Sequence, residues 1–114
     1  MIWQVKMINI EMLTEMFGGD TEFVSSIFEQ YLSDNKNINF RIEEQLNSEQ
    51  FEALFHTMHT LSGSLSNICD ENIVPKIKEV EQMARDGQRP NVEDIQLIQT
   101  ELDKIKLQME EYLA

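Results

Sequence analysis

Phe51-Glu52-Ala53-Leu54-Phe55-His56-Thr57-Met58-His59-Thr60-Leu61-Ser62-Gly63-Ser64-Leu65-Ser66-Asn67-Ile68 places its apolar residues three and four apart. Phe51, Leu54, Phe55, Met58, Leu61, Leu65 and Ile68 fall on one stripe, the spacing of an α-helix that buries one face. Gly63 is costly there, because glycine in a helix interior is about 1 kcal/mol less favourable than alanine. An imidazole, His59, stands one turn before it. Access is a sufficient reason for the glycine: without a side chain at position 63, a bulky partner reaches the ring.

The flanking segments read the same way. A first short helix spans about Asn9 to Phe17 and stops at Gly18-Gly19. Asp20 or Thr21 caps a second, which carries Phe23, Ile27, Phe28, Tyr31 and Leu32. The run Asp34-Asn35-Lys36-Asn37 kinks it ahead of Ile38, Ile42 and Leu46. Ser48 caps the helix quoted above. Asp70 opens the next, with Ile73, Ile77, Val80 and Ala84, which closes at Gly87 and Pro90. Asn91 caps the last, where Ile95, Ile98, Leu102, Ile105, Met109 and Leu113 recur. Met12, Met16, Met58, Met83 and Met109 fall mostly on these stripes and are expected in the core. The expected fold is all-α: an antiparallel up-down four-helix bundle over residues 8–114, with a short additional N-terminal helix across one end. Residues 1–7 read as an N-terminal arm without a place in the bundle.

Composition narrows the function. A chain of 114 residues is enough for one domain with one core. Its net charge of -12, with nine scattered Lys and Arg, disfavours nucleic acid and anionic membrane surfaces. No apolar run approaches the ~20 residues of a membrane span, and no signal-peptide pattern opens the chain. The single cysteine, Cys69, has no internal disulfide partner and reads as a structural filler in a reducing, cytoplasmic setting. Gly-x-Ser-x-Gly, Walker and His-Glu-x-x-His motifs are missing, so a turnover enzyme is not indicated.

On a helical wheel His59 lies on the flank of its stripe, roughly 120° from the centre. It is expected to be exposed or half-exposed, whereas a core histidine would sit at 58 or 61. Ser62, Gly63 and Ser66 share this flank, with Glu52 and His56 close by. His56 reads as a solvated side chain, with a supporting hydrogen bond to a ligand as the alternative. Glu52, His56 and His59 do not have the Glu-x-x-His spacing of bundle metal sites, so no metal is expected.

The run His59-Thr60-Leu61-Ser62-Gly63-Ser64 resembles the phosphoacceptor motif of the histidine-containing phosphotransfer (HPt) domains, typically His-x-x-Lys-Gly-Ser/Ala. Here Ser62 stands in the lysine position. Two further segments resemble the family in order and spacing: Met16-Phe17-Gly18-Gly19-Asp20-x-x-Phe23, and the approach Phe51-x-x-Leu54-Phe55-His56-x-Met58. The resemblance spans about residues 8 to 113. It implies a stoichiometric phosphocarrier in two-component signalling. His59 would accept a phosphoryl group through Nε2 from a receiver phospho-aspartate and pass it to another receiver. A neutral imidazole suits that task near pH 7, since histidine ordinarily titrates near 6.5. The implied partners are receiver domains of response regulators or hybrid sensor kinases, met by a monomer. This chain would need no cofactor, because the receiver would bring the magnesium ion. Ser62 supplies a hydrogen bond but no charge, so phospho-His59 should be shorter-lived or transfer slower than with lysine. Two other readings stand beside the carrier: an HPt-like adaptor that binds receivers without carrying phosphate, and a helical interaction module unrelated to signalling. Acid-labile phosphate on His59 separates the first from both, and receiver binding separates those two.

Overall fold

A computed structural model describes residues 8–68 and 72–114. Among them six helices follow one another: α1 (Ile10–Met16), α2 (Thr21–Asp34), α3 (Ile38–Asn47), α4 (Phe51–Asn67), α5 (Val74–Arg85) and α6 (Val92–Leu113). Helices α2 and α3 together form one member of a four-membered antiparallel bundle, with α4, α5 and α6 as the others and α1 against α2. The proposed arm, residues 1–7, lies outside the described residues, as does Cys69.

Local chemistry explains the breaks. Gly18 and Gly19, at φ 65° and 82°, adopt the left-handed conformation that ends α1. The Asp20 carboxylate caps α2 by accepting from the Phe23 N–H at 3.0 Å. The expected kink is a full break. Asn35 turns its side-chain amide onto the Tyr31 carbonyl at 2.9 Å, and α3 restarts only at Ile38. The detached α3 is then pinned to α6 by paired amides. Asn39 Nδ2 donates to the Gln99 carbonyl (3.0 Å) and to Asp103 Oδ1 (2.9 Å), and Gln99 Nε2 donates to the Asn39 carbonyl (3.2 Å).

The core joins stripes from every helix, with Leu13, Phe28, Ile42, Leu54, Met58, Leu65, Ile77, Ile98 and Ile105 sealed from solvent. Several expectations change. Helix α2 buries Val24, Phe28 and Tyr31, so Phe23 turns outward and packs edge-on to Phe17, ring centres 4.7 Å apart. Met58 and Met109 are core, but Met12 and Met16 are exposed, because α1 is a single short layer with solvent on its outer side. Ser48 ends α3 rather than starting α4, whose N-cap is Gln50. Helix α5 runs from Val74, where Pro75 sits in the first turn and its missing N–H costs nothing; Asp70, the expected start, lies outside the described residues.

Ile8 is fully buried, and its backbone is held by one side chain. Its N–H donates to Gln108 Oε1 at 2.9 Å, and its carbonyl accepts from Gln108 Nε2 at 2.8 Å. Gln108→Ala strands both groups at once. It is expected to cost about 1–3 kcal/mol, seen as a lower urea midpoint at unchanged slope.

Candidate functional site

His59 stands in the middle of α4 with its side chain 69% exposed, while Met58 and Leu61 on either side are buried. Two contacts orient the ring. Phe55, one turn earlier, stacks against it with centroids 5.8 Å apart and planes inclined by 27°. Across the helix seam, Glu81 of α5 holds Nδ1 at 3.1 Å from Oε2, and this carboxylate is only 20% exposed. A carboxylate only accepts hydrogen bonds, so Nδ1 carries the ring proton. Nε2 keeps its lone pair on the opposite edge, with no hydrogen-bond partner among the described residues. The contact thus favours the Nδ1–H tautomer and leaves Nε2 as the basic nitrogen of a largely exposed side chain.

The surrounding strip is polar or bare. Glu52, His56, Gly63 and Ser66 are all exposed on the face of α4 that carries His59. His56 tilts against Phe55 with centroids 5.2 Å apart. Among the described residues no three His, Cys, Asp or Glu side chains are grouped as metal ligands, Glu52, His56 and His59 included. A Cβ at Gly63 would meet nothing within 4 Å. The fold itself thus has no need of glycine at 63.

Ser62 departs from expectation. It is buried, 5% exposed, rather than sharing the open flank with His59. The reason is angular: Ser62 follows Met58 by four residues and precedes Leu65 by three, so it belongs to the edge of the buried stripe. Its small side chain fills the seam of the bundle instead of facing what lies over His59.

Cations are scarce at the site. Helix α4 contains no Lys or Arg. Lys76 on α5 is committed to Glu79 (2.8 Å) and Asp94 (3.4 Å), and the hydrogen bond to Glu79 is the main cause of its raised pKa. Arg89 is tied to the Leu46 carbonyl (3.3 Å) and lies 3.7 Å from Glu49. Lys78 and Arg85 are exposed and make no ion pair among the described residues.

Beyond Ser66, an open groove runs between the C-terminal half of α4 and α1–α2. Met16, Phe17, Ile27, Tyr31, Ser64 and Ser66 line it. The groove gives the strip an apolar margin.

Glu81 was not among the residues singled out from sequence. A signal existed: Glu81 follows Ile77 by four and precedes Ala84 by three, a carboxylate in an otherwise apolar register. What it touches lies on another helix, so no reading along α5 alone identifies its partner.

A family model for the Hpt domain matches residues 26–108, well over half of the chain. Searches of curated proteins and of solved structures found no significant match.

Proposed function

This chain belongs to the Hpt domain family, and from that premise we propose that it relays a phosphoryl group on His59 between receiver domains of two-component signalling. The observation that carries the reading is the ring's geometry: Nδ1 engaged by Glu81 at 3.1 Å, and Nε2 unpaired on a side chain 69% exposed.

The chemistry then follows from the residues. The Nε2 lone pair attacks phosphorus of a receiver's aspartyl phosphate in line. A P–Nε2 bond forms, the P–O bond to the aspartate breaks, and the carboxylate leaves with that electron pair. Nδ1 keeps its proton, so the ring becomes cationic and Glu81 offsets the charge across the existing hydrogen bond. Transfer to a second receiver reverses each change, which makes the chain a stoichiometric carrier rather than a turnover enzyme. The receiver brings the magnesium ion and most of the charge stabilisation. On this reading the chain works as a monomer in the cytoplasm, where its receivers are. Among the described residues no helix is long and apolar enough to cross a membrane.

Docking accounts for Gly63. Its stability cost is unexplained within the chain, yet a receiver loop approaching Nε2 must pass close to α4 at this point. Gly63→Ala is expected to raise stability by about 0.5–1 kcal/mol. Gly63→Leu, in the same open space, should leave the bundle folded and weaken receiver binding at least tenfold, on the order of 1.4 kcal/mol. Titration calorimetry showing undiminished affinity would contradict the docking face.

The test of function is transfer from phosphorylated receivers to the purified protein, with the label mapped by peptide analysis. Acid-labile, alkali-stable phosphate on the peptide containing His59 is expected. One observation, the lack of any Lys or Arg on α4, favours the second reading of a receiver-binding adaptor. Receiver binding without label would establish that alternative, and neither binding nor label would leave a helical module outside signalling.

A further inference from the structure

We propose that Arg85 of α5 supplies the cation for a phosphoryl group on His59, in place of the lysine whose position on α4 is taken by the buried Ser62. The proposal rests on the phosphocarrier reading above and adds a residue to it. A phosphoryl group on Nε2 would bring two negative charges to a chain of net charge -12, beside Glu81 and on the strip that carries Glu52. Helix α4 offers no positive charge to meet them. On the α5 side Lys76 and Arg89 already have partners, which leaves Lys78 and Arg85.

Side-chain direction separates these two. Lys78 is three residues before Glu81 and Arg85 four after it, so both share its face, one turn to either side. Long side chains on a helix lean toward its N-terminus and cover the turn preceding their own Cα. From position 85 a side chain with this lean would extend over the turn that bears Glu81, where the imidazole of His59 is held. From position 78 the same lean leads toward Val74, away from the ring. Arg85 lies exposed at the end of α5 and makes no ion pair among the described residues, so its planar fork is available to two phosphoryl oxygens. Complementing the helix dipole at this end of α5 would ask only for a positive charge and would be indifferent to phosphate on His59.

The experiment compares wild type with Arg85→Gln, Arg85→Lys and Lys78→Gln. Each is phosphorylated by phosphoramidate, which gives up its phosphoryl group as ammonia leaves, and separately by a phosphorylated receiver. Phosphohistidine is followed by phosphorus NMR at mildly alkaline pH, with circular dichroism as a check of fold. Arg85→Gln is expected to shorten the phosphohistidine lifetime and slow its formation about five- to tenfold, as loss of one nearby charge implies. Arg85→Lys should recover most of this, and Lys78→Gln should stay within about twofold of wild type. Raising the salt concentration should narrow the gap between wild type and Arg85→Gln. Phosphohistidine that forms and decays alike in wild type and Arg85→Gln overturns the assignment of Arg85 alone, as does an equal loss in Lys78→Gln. Failure of the wild type to form phosphohistidine with either donor overturns the carrier reading and this proposal with it.

Discussion

Glutamine in place of His59 is expected to abolish acid-labile phosphorylation while the protein keeps its helicity and its melting temperature to within a few degrees. The two halves of this result have separate physical causes. A carboxamide nitrogen has its lone pair delocalised into the carbonyl, so the variant has no nucleophile at position 59, and labelling should fall to background. The fold is spared because the side chain is 69% exposed and makes one hydrogen bond, to Glu81, at the surface. Pairs of this exposure contribute about 0–1 kcal/mol. Phosphoimaging beside circular dichroism reads both halves. Label persisting on the variant would move the acceptor elsewhere, His56 being the other imidazole on the strip. A large loss of helicity would instead contradict the placement of His59 off the core.

Glu81→Gln is expected to slow phosphotransfer by about two orders of magnitude with little effect on stability, the size of loss seen when a residue that orients a histidine is removed. The carboxylate at 3.1 Å accepts from Nδ1–H and thereby holds the lone pair on Nε2. A carboxamide can present N–H instead, which favours the opposite tautomer, with the proton on Nε2 and the lone pair turned inward. It also brings no negative charge to the imidazolium formed during attack. A purely structural role for Glu81 would leave the tautomer untouched. Nitrogen NMR of the imidazole is therefore the decisive companion measurement: a shift of population from the Nδ1–H toward the Nε2–H form should accompany the slower transfer. A variant that transfers at the wild-type rate would remove Glu81 from the mechanism.

Much of the architecture was legible along the chain, because a helix writes its own burial into a 3.6-residue period. The stripe of α4 puts Met58, Leu61 and Leu65 inside and His59 outside, and all four lie so, with Ser62 added to the buried side. The stop at Gly18-Gly19 and the cap at Asp20 were equally local, since each depends on hydrogen bonds within a few residues. Readings weakened wherever a wheel position was intermediate. Phe23 falls in the helical spacing of Ile27 and Tyr31, but Val24 points into the bundle and Phe23 lies outside. Ser62 reads from the wheel as sharing the flank of His59, yet its spacing from Met58 and Leu65 belongs to the seam, and it is buried. Both positions lie at the edge of an apolar stripe, where packing against the neighbouring helices decides which side is buried.

The sequence by itself determined the all-helical class, the order of the helices and the exposure of His59, since these depend on contacts within one or two turns. The tertiary structure alone decided that Glu81 of α5 meets Nδ1 of His59. That pairing joins residues 22 positions apart. It depends on how far one helix is rotated and slid against the next, and that is settled by the packing of all the stripes together.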